Sequence, residues 1–392
     1  MEKRPTPQIP TEEYFRRIHN LQEKLKEHGL DAYIVHANAG NYENVRYLTG
    51  HWPLFEVSGV IVPQEGSALL LIGAEAPGFA AECCLGMENV RVVDDYGHSI
   101  GLKWEGVKYY NWAEIFDEIS GGCGVRRLGM GDYAITPVSL YNNLKKHLAP
   151  GGELIRAEFI MEELRMIKSP IEQEMIRQAC KINELVFEDF LNNVRPEMTE
   201  HECTGLVLDS MYRHGGEGPS FPTLMYAGER TRNMIGRSNH TPIGRDRIIT
   251  LDFGTMYGGY SSSFARVMMF GKMPQKMKDE INFTIDVHNK IMREWASPGV
   301  ICGDIHTKYC QYFQSHGYGY PPANASHGIG IFECEPPGFR KDNPYVVQEN
   351  MIFANDTFFR AENYGFRLED CYLIGKDGNE IFTTSHLEPI EL

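Results

Sequence analysis

One segment constrains the fold of this chain more than any other: residues 249–266, ITLDFGTMYGGYSSSFAR. Apolar, β-favouring residues lead to Asp252, and a second run of such residues begins at Tyr260. The pair Gly258-Gly259 between the two runs is typical of a tight hairpin turn. The segment therefore predicts two antiparallel strands that place the Asp252 carboxylate opposite residues of the second strand.

Length and composition indicate a globular protein of two domains. The chain has 392 residues, of which 42% are hydrophobic and 23% charged, and a single core rarely serves a chain of this length. Its net charge of −15 disfavours a nucleic-acid-binding surface. The nine cysteines include no CxxC pair, which favours reduced thiols. Since the N-terminal segment MEKRPTPQIPTEEYF lacks an apolar stretch and no run is long enough to span a membrane, we expect a cytoplasmic protein.

The order of the predicted elements separates the two domains. Predicted strands and helices in the first 150 residues indicate an α/β layer domain. The turn sequence Pro150-Gly151-Gly152 then marks a boundary, so we expect domains over residues 1–155 and 156–392. In the second part, helices are interleaved with hairpins, which predicts an α+β domain.

Polar residues that could carry chemistry recur in the second part of the chain. They are Asp252 on its hairpin, His327 in the glycine-lined sequence SHGIG, Asp356, and Glu369 followed by Asp370. An imidazole and several carboxylates on different elements suit either a site for a hard cation or general acid–base catalysis. Taken singly, each is more typical of an ordinary turn or sheet edge, so spacing alone does not choose between these interpretations.

In order and spacing, these motifs resemble the "pita-bread" hydrolases, the family of aminopeptidase P, prolidase, methionine aminopeptidase and creatinase. The resemblance implies a C-terminal pita-bread domain, preceded by a smaller α/β domain like those of prolidase and creatinase. The sequence MIKSPIE at 166–172 resembles the usual entry to the catalytic domain. The matching positions are Asp252, Gly254, Tyr260 and Arg266 in the hairpin, His327, Gly328 and Gly330 in the loop, Asp356-Thr357 in the next strand, and Arg367, Glu369 and Asp370 in the last.

Two positions depart from the metal-ligand pattern that the resemblance implies. Ser263 stands where the family has its second Asp, and Asp356 stands where it has its first Glu. A neutral hydroxyl does not supply the charge that lets two dications lie close together. The resemblance to creatinase, which works without metal, therefore makes a hydrolase that requires no cofactor our main prediction. Its reaction would be cleavage of a C–N bond in a small cationic or zwitterionic substrate.

The same resemblance implies roles for individual residues. The family has a histidine before the hairpin, and His240 is a candidate for that position. An alignment without gaps places Ile235 there instead. Trp52 lies where creatinase-like homodimers project a loop into the neighbour's active site, so we expect a homodimer that acts on a small molecule and binds neither nucleic acid nor membrane. Cys334 is either a nucleophile or, as we prefer, a buried inert thiol. The predicted catalytic residues are His327, Glu369, Asp356 and His240, and the predicted substrate-binding residues are Asp252, Tyr260, Glu335, Trp52 and Arg367.

Three alternatives to the main prediction stay open. The first is an Xaa-Pro dipeptidase or aminopeptidase that uses one or two divalent cations (Mn, Fe, Zn or Co), since the set Asp252, His327, Asp356 and Glu369 suits a hard to borderline cation. The second is a lyase that acts on a sulfonium or ammonium substrate. The third is a non-catalytic protein that keeps the pocket to bind a ligand.

Overall fold

The computed structural model of the protein describes residues 8–84, 89–97 and 103–392. The helices are α1 (Thr11–His28), α2 (Glu43–Thr49), α3 (Pro77–Cys83), α4 (Trp112–Ser120), α5 (Val138–His147), α6 (Glu158–Met166), α7 (Pro170–Asn193), α8 (Glu200–Arg213), α9 (Gln275–Lys290) and α10 (Cys302–Ser315). The strands are β1 (Ala32–Ala37), β2 (Ser58–Pro63), β3 (Leu69–Ile72), β4 (Val90–Val92), β5 (Arg127–Met130), β6 (Glu153–Arg156), β7 (Gly218–Pro219), β8 (Leu224–Ala227), β9 (Ile248–Phe253), β10 (Thr255–Tyr257), β11 (Tyr260–Ser261), β12 (Phe264–Met269), β13 (Ser326–Gly328), β14 (Glu335–Gly338), β15 (Ile352–Arg360), β16 (Gly365–Leu373), β17 (Glu380–Ile381) and β18 (Ile390–Glu391). Among these elements, no helix is both long enough and apolar enough to cross a membrane.

The described chain divides into two compact units, a first unit of residues 8–165 and a second unit of residues 166–392. The predicted boundary after residue 155 lies inside the first unit, within β6. The reason is that β6 pairs in parallel with β5 as the last strand of the first unit's sheet, so the chain leaves that unit only after α6.

The first unit is built on a mixed sheet with the strand order β4-β3-β2-β1-β5-β6. Its central strand β1 is buried along its whole length, as expected for a strand covered on both faces. Apolar side chains from the strands, from α4 and from α5 form one core, which includes Ile34, Ile61, Trp112, Leu128 and Leu140. A capping box between Asn111 and Glu114 fixes the start of α4.

The second unit has a large sheet with the order β14-β13-β15-β16-β12-β9-β8, and a small sheet with the order β11-β10-β7. Helices α7 and α8 contribute Val186, Phe187 and Val207 to an apolar cluster with Leu251 and Phe264 of the large sheet. Helices α9 and α10 form a second cluster with β15 and β16, to which Ile281, Ile305, Phe353 and Leu368 belong. The strand register places these sheet residues on the same face, so both helix pairs cover one face of the large sheet, as in an α+β layer architecture.

The predicted hairpin is present, with one difference. The turn between β10 and β11 uses Gly258 and Gly259 at φ of 58° and 84°, values that favour glycine. The predicted second strand is interrupted at Ser262 and Ser263, where the chain passes from the small sheet to the large one. Ser262 stabilises this passage, because its Oγ accepts a hydrogen bond from the Thr255 N–H at 3.1 Å and donates one to the Thr255 carbonyl at 2.9 Å.

Candidate active site

Two carboxylates face each other across β15 and β16. The register of this antiparallel pair places Asp356 opposite Glu369. Neighbouring side chains on β15, such as Asn355 and Thr357, contact His288 of α9. Since successive side chains alternate between the faces of a strand, Asp356 and Glu369 point to the other face. Like charges directly opposite each other are unfavourable, so this pair needs positive charge nearby.

Arg367 brings part of that positive charge and links three segments of the second unit. Its Nη1 donates to Asp252 Oδ2 of β9 at 2.5 Å. Its Nε forms an ion pair with Asp356 Oδ1 at 3.0 Å, and its Nη2 donates to the Met234 carbonyl at 3.0 Å. The guanidinium therefore holds the Asp252 and Asp356 carboxylates at fixed positions beside Glu369.

His327 on β13 reaches the same group of carboxylates. Its Nδ1 lies 3.0 Å from the Gly328 carbonyl, so Nδ1–H donates there and Nε2 is directed elsewhere. Nε2 lies 3.2 Å from Glu333 Oε1 and 3.8 Å from Glu369 Oε1. Burial alone would lower the pKa of His327, but the Glu333 carboxylate outweighs it and raises this pKa well above 6.5.

Negative charge exceeds positive charge in this cluster. Burial raises the pKa of Asp252 to about 6 against the opposing effect of Arg367. Burial, together with the Asp252 and Asp356 carboxylates, raises the pKa of Glu369 well above its ordinary value. Asp252 Oδ1 is buried and has no hydrogen-bond partner among the described residues. Four carboxylates, including that of Glu333, thus share the charges of Arg367 and His327.

The donor atoms are close enough together to hold one cation. Ligand atoms of His327, Asp356 and Glu369 all lie within 4.8 Å of one another, and Arg367 ties Asp252 to the same group. Three carboxylates and one imidazole match the ligands that hard to borderline divalent cations prefer. The unpartnered Oδ1 of Asp252 is a further oxygen donor, so the residues present fit a single divalent cation.

Comparisons with known proteins agree with this geometry. The model of the metallopeptidase family M24 matches residues 174–376, and that of the Creatinase/Prolidase N-terminal domain matches residues 17–167. The chain belongs to metallopeptidase family M24. As a member of that family it is a hydrolase, and the predicted fold class, an α+β pita-bread domain after a smaller α/β domain, is confirmed.

Relatives of this M24 protein span nearly its whole length. The putative dipeptidase YkvY of Bacillus subtilis is 26% identical over 92% of this chain and 96% of its own length. The Xaa-Pro dipeptidase of Pyrococcus horikoshii is 23% identical over 95% and 98%. Among solved structures, the Xaa-Pro dipeptidase from Bacillus anthracis has a TM-score of 0.82 at 22% identity, covering 97% of this chain and all of its own. Because the family is one of metallopeptidases, these comparisons give the prediction of a cofactor-free enzyme no support.

Of the predicted site residues, five come together: Asp252, His327, Asp356, Arg367 and Glu369. Arg367 pairs with the carboxylates of Asp252 and Asp356, and its predicted contact with a substrate stays a prediction. Arg266 also pairs with a sheet carboxylate, donating to Asp370 Oδ1 at 2.7 Å. That pair lies on the face of β16 that contacts His288, away from the five site residues.

The structure does not bring His240 to this cluster, which corrects its predicted catalytic role. His240 is exposed and its ring packs against His201 of α8, with centroids 4.7 Å apart. The alternative residue, Ile235, follows Met234, whose carbonyl accepts from Arg367. Ile235 itself is 83% exposed. The loop before the hairpin therefore contributes a backbone carbonyl to the site, where the sequence predicted an imidazole.

Two predicted substrate-binding residues are instead buried in structural pairs. The Tyr260 hydroxyl donates to Glu172 Oε1 of α7 at 2.9 Å. Glu335 Oε2 forms an ion pair with Lys168 at 3.4 Å, and its Oε1 accepts from the Phe332 N–H at 3.0 Å. Since Tyr260 and Glu335 are 1% and 4% exposed, these contacts hold strands of the second unit in place and leave little surface for a substrate.

Trp52 belongs to the first unit, where it is half-buried. The Arg46 guanidinium lies 3.8 Å from its ring centroid, and Phe79 packs edge-on at 5.4 Å. These contacts give Trp52 a structural role within its own unit. Its predicted role in the active site of a neighbouring subunit, and the homodimer itself, stay predictions.

Sequence reasoning missed Glu333 and misjudged Cys334. Glu333 lies beside His327, and the signal that could have found it is the pair of acids in FECE, which begins one residue after the SHGIG loop. Cys334 is exposed, so the preferred prediction of a buried inert thiol is wrong. A ligand atom of each of these residues lies within 4.8 Å of His327.

Ser263 occupies a buried position in the passage between β11 and β12. Its Oγ has no hydrogen-bond partner among the described residues, while its carbonyl accepts from the Cys371 thiol at 3.6 Å. The family pattern has an aspartate here, and the serine supplies no charge. The site therefore has one carboxylate fewer than a pair of dications would need.

Proposed function

We propose that this chain hydrolyses an amide-type C–N bond in a small zwitterionic substrate, with one divalent cation held by Asp252, His327, Asp356 and Glu369. The observation that carries this proposal is the convergence of their donor atoms in a buried group with excess negative charge. A structural ion-pair network would balance its charges more closely. The excess of negative charge is what a bound divalent cation would neutralise.

The number of cations follows from the ligand set. Three carboxylates and one imidazole provide enough donors for one divalent cation and an open position. Ser263 removes the carboxylate that would bridge a second cation, which supports one ion per chain. When bound, such a cation polarises a carbonyl oxygen and lowers the pKa of a water molecule.

The protein's own residues orient this chemistry. Arg367 fixes Asp252 and Asp356 by ion pairs, and Nδ1–H of His327 donates to a backbone carbonyl at 3.0 Å, which leaves Nε2 for the cation. Glu333 lies beside His327 and is about a fifth exposed, so it can exchange protons with solvent. We assign it the task of accepting a proton from the attacking water and returning it to the leaving nitrogen.

The charge of the site indicates the substrate class. A site with excess carboxylates favours the ammonium end of a zwitterion, and a dipeptide carries such an end next to an amide bond. Several relatives are named Xaa-Pro dipeptidase, so Xaa-Pro dipeptides are the first substrates to test.

The test is a turnover assay on chelator-treated protein, with and without added Mn²⁺. The panel contains Xaa-Pro dipeptides, other dipeptides, and guanidino and amidine compounds. We expect Mn²⁺-dependent hydrolysis of a dipeptide, and a loss in kcat of on the order of a hundredfold or more in Glu369→Gln. Glu362→Gln, an exposed acid in the turn between β15 and β16, is the matched control and should keep full activity. Absence of hydrolysis across the panel would overturn the proposal.

A second candidate is the metal-independent hydrolase that the sequence suggested. The observation in its favour is that His327 lies between Glu333 and Glu369, an arrangement in which an imidazolium serves as the acid. In that case turnover would survive chelation and fall in His327→Gln. Elimination products in the same assay would instead indicate the lyase, and tight binding without turnover would indicate a ligand-binding protein.

A further inference from the structure

We propose that His51, Cys83 and Cys84 form a binding site for a single thiophilic cation, such as Zn²⁺ or Cu⁺, in the first unit. Neither the proposed hydrolysis nor the M24 ligand set involves these residues. Two sulfurs and an imidazole are the ligands that Zn²⁺ and Cu⁺ prefer, and they differ from the oxygen-rich set of the second unit.

Two helix ends bring the three side chains together. Helix α2 ends at Thr49, and the next residue, Gly50, turns the chain with a φ of 82° and places His51 next to the last residue of α3. A Cβ at Gly50 would lie 2.7 Å from the Cys83 carbonyl, so the two backbones touch there. Cys83 ends α3 and Cys84 follows it. Both thiols therefore reach the imidazole of His51.

The distances between the donor atoms match those of a tetrahedral site. Cys83 Sγ lies 3.6 Å from His51 Nδ1 and 4.0 Å from Cys84 Sγ, and all three donors lie within 4.8 Å of one another. With Zn–S bonds of about 2.3 Å and Zn–N bonds of about 2.0 Å, tetrahedral angles place two sulfurs roughly 3.8 Å apart and a sulfur and a nitrogen roughly 3.5 Å apart. Only small side-chain shifts would be needed, and the fourth position would remain for water or another ligand.

The burial of His51 also points to a ligand. Its side chain is fully buried, and its Nδ1 has only the Cys83 thiol as a hydrogen-bond partner among the described residues. Nε2 has no partner in the same part of the chain. A buried imidazole with so weak a partner is unfavourable by itself, and a bond to a cation would compensate for that cost. Cys83 is only half-buried, which leaves a route from solvent.

The surroundings also favour the ligand form of Cys83. A hydrogen bond from the Cys84 thiol, helped by His51 and the nearby Arg46, lowers the pKa of Cys83 to about 5 against the effect of burial. The thiolate, and not the thiol, binds metal ions. Cys84, whose pKa is raised by the Cys83 thiolate and by burial, would lose its proton when the cation binds.

The test uses Co²⁺ as a spectroscopic probe of the full chain under anaerobic, reducing conditions. Thiolate ligation gives a sulfur-to-cobalt charge-transfer band in the near ultraviolet, which the oxygen-rich site of the second unit does not give. We expect this band to saturate at an intensity that corresponds to one thiolate-bound Co²⁺ per chain, whatever further Co²⁺ binds in the second unit. Cys83→Ser and Cys84→Ser should abolish it, and His51→Gln should weaken Co²⁺ binding at least tenfold.

Two controls separate this site from other cysteines. Cys334→Ser removes the exposed thiol beside His327, and Cys123→Ser removes an exposed thiol of the first unit; both variants should keep the band. Circular dichroism will show whether each variant is folded, and the single Cys83→Ser change at the half-buried position is the mildest. A missing band in the wild-type protein, or a band that is lost in Cys334→Ser but kept in Cys83→Ser, would overturn the proposal, whatever the result of the hydrolysis assay.

Discussion

Single residues determine how many cations the site can hold. Ser263 lies fully buried at a position where the family pattern has a carboxylate, and Asp252, Asp356 and Glu369 remain. An aspartate at position 263 would add a further buried negative charge to a group that already has an excess. Its effect should therefore depend on whether a second cation can enter.

We predict that Ser263→Asp lowers the free energy of unfolding in metal-free buffer by on the order of 3 kcal/mol, because an unpaired buried charge is costly. Saturating Mn²⁺ should recover most of this loss through binding of a second ion. Thermal unfolding with and without Mn²⁺ measures both effects. Ser263→Asn is the matched control, since it adds similar volume without charge. An equal response of the two variants to Mn²⁺ would contradict the prediction.

The sequence predicted some residues of the site and missed others. Asp252, His327, Asp356, Arg367 and Glu369 could be predicted because each stands in a motif whose order the fold preserves. Glu333 could not, because only the path of the loop after His327 turns its side chain inward. The prediction of a catalytic His240 was wrong for a similar reason. The length of the loop before the hairpin decides which loop residue reaches the site, and a motif does not specify that length.

Among the elements, β14 depends on a buried ion pair. Glu335 of β14 contacts Lys168, and both side chains are 2% exposed. Strand β14 pairs with β13, which carries His327. The pair thus connects the segment before α7 to the strand next to the one that carries His327.

We predict that Lys168→Met destabilises the protein by about 3–5 kcal/mol, because it removes the ion-pair partner of a buried carboxylate. Lys181→Met is the control, since Lys181 is exposed on α7 and its loss should change stability by less than about 0.5 kcal/mol. Urea unfolding of the two variants gives both numbers. Similar stabilities for both variants would show that the pair does not hold β14.

Element prediction succeeded where a local pattern determines the backbone. The turn at Gly258 and Gly259 was predictable, because few other residues adopt its positive φ values. The interruption at Ser262 was not, since it depends on hydrogen bonds to Thr255 that periodicity does not reveal. At Gly254 the reason for glycine is also tertiary: a Cβ there would lie 1.8 Å from the Ser262 carbonyl.

At the scale of the whole molecule, two buried groups of the first unit should shape the pH dependence of stability. Asp132 accepts hydrogen bonds from the His36 N–H at 2.9 Å and from Asn44 Nδ2 at 2.8 Å. Burial raises the pKa of Asp132 from 3.8 to about 7 and lowers the pKa of His36 from 6.5 to about 4. The two shifts act on stability with opposite signs.

The contribution of Asp132 is fully present below about pH 4 and is lost as the pH rises through 7, since its folded pKa is the higher one. The contribution of His36 is present above about pH 6.5 and is lost as the pH falls towards 4, since its folded pKa is the lower one. Each group changes the free energy of unfolding by about 1.4 kcal/mol per pH unit at most. Between about pH 4 and pH 6.5 the two changes have opposite signs and largely cancel.

We predict that Asp132→Asn gains stability relative to the wild-type protein as the pH rises from about 4 to 7, because only the wild type must bury a charge at the upper end. Urea unfolding at several pH values within that range measures the difference. The free energy of unfolding of Asp117→Asn, at an exposed position of α4, should change with pH as that of the wild type does. The same pH dependence for Asp132→Asn would show that Asp132 does not titrate as proposed.

The central claim is that one divalent cation binds at Asp252, His327, Asp356 and Glu369. Titration of chelator-treated protein with Mn²⁺, followed by electron paramagnetic resonance, tests it most directly, because Mn²⁺ prefers oxygen-rich sites and the cysteine site of the first unit does not compete for it. We predict one tightly bound Mn²⁺ per chain, lost in Glu369→Gln and kept in Glu362→Gln. Two coupled ions per chain, or none, would contradict this account.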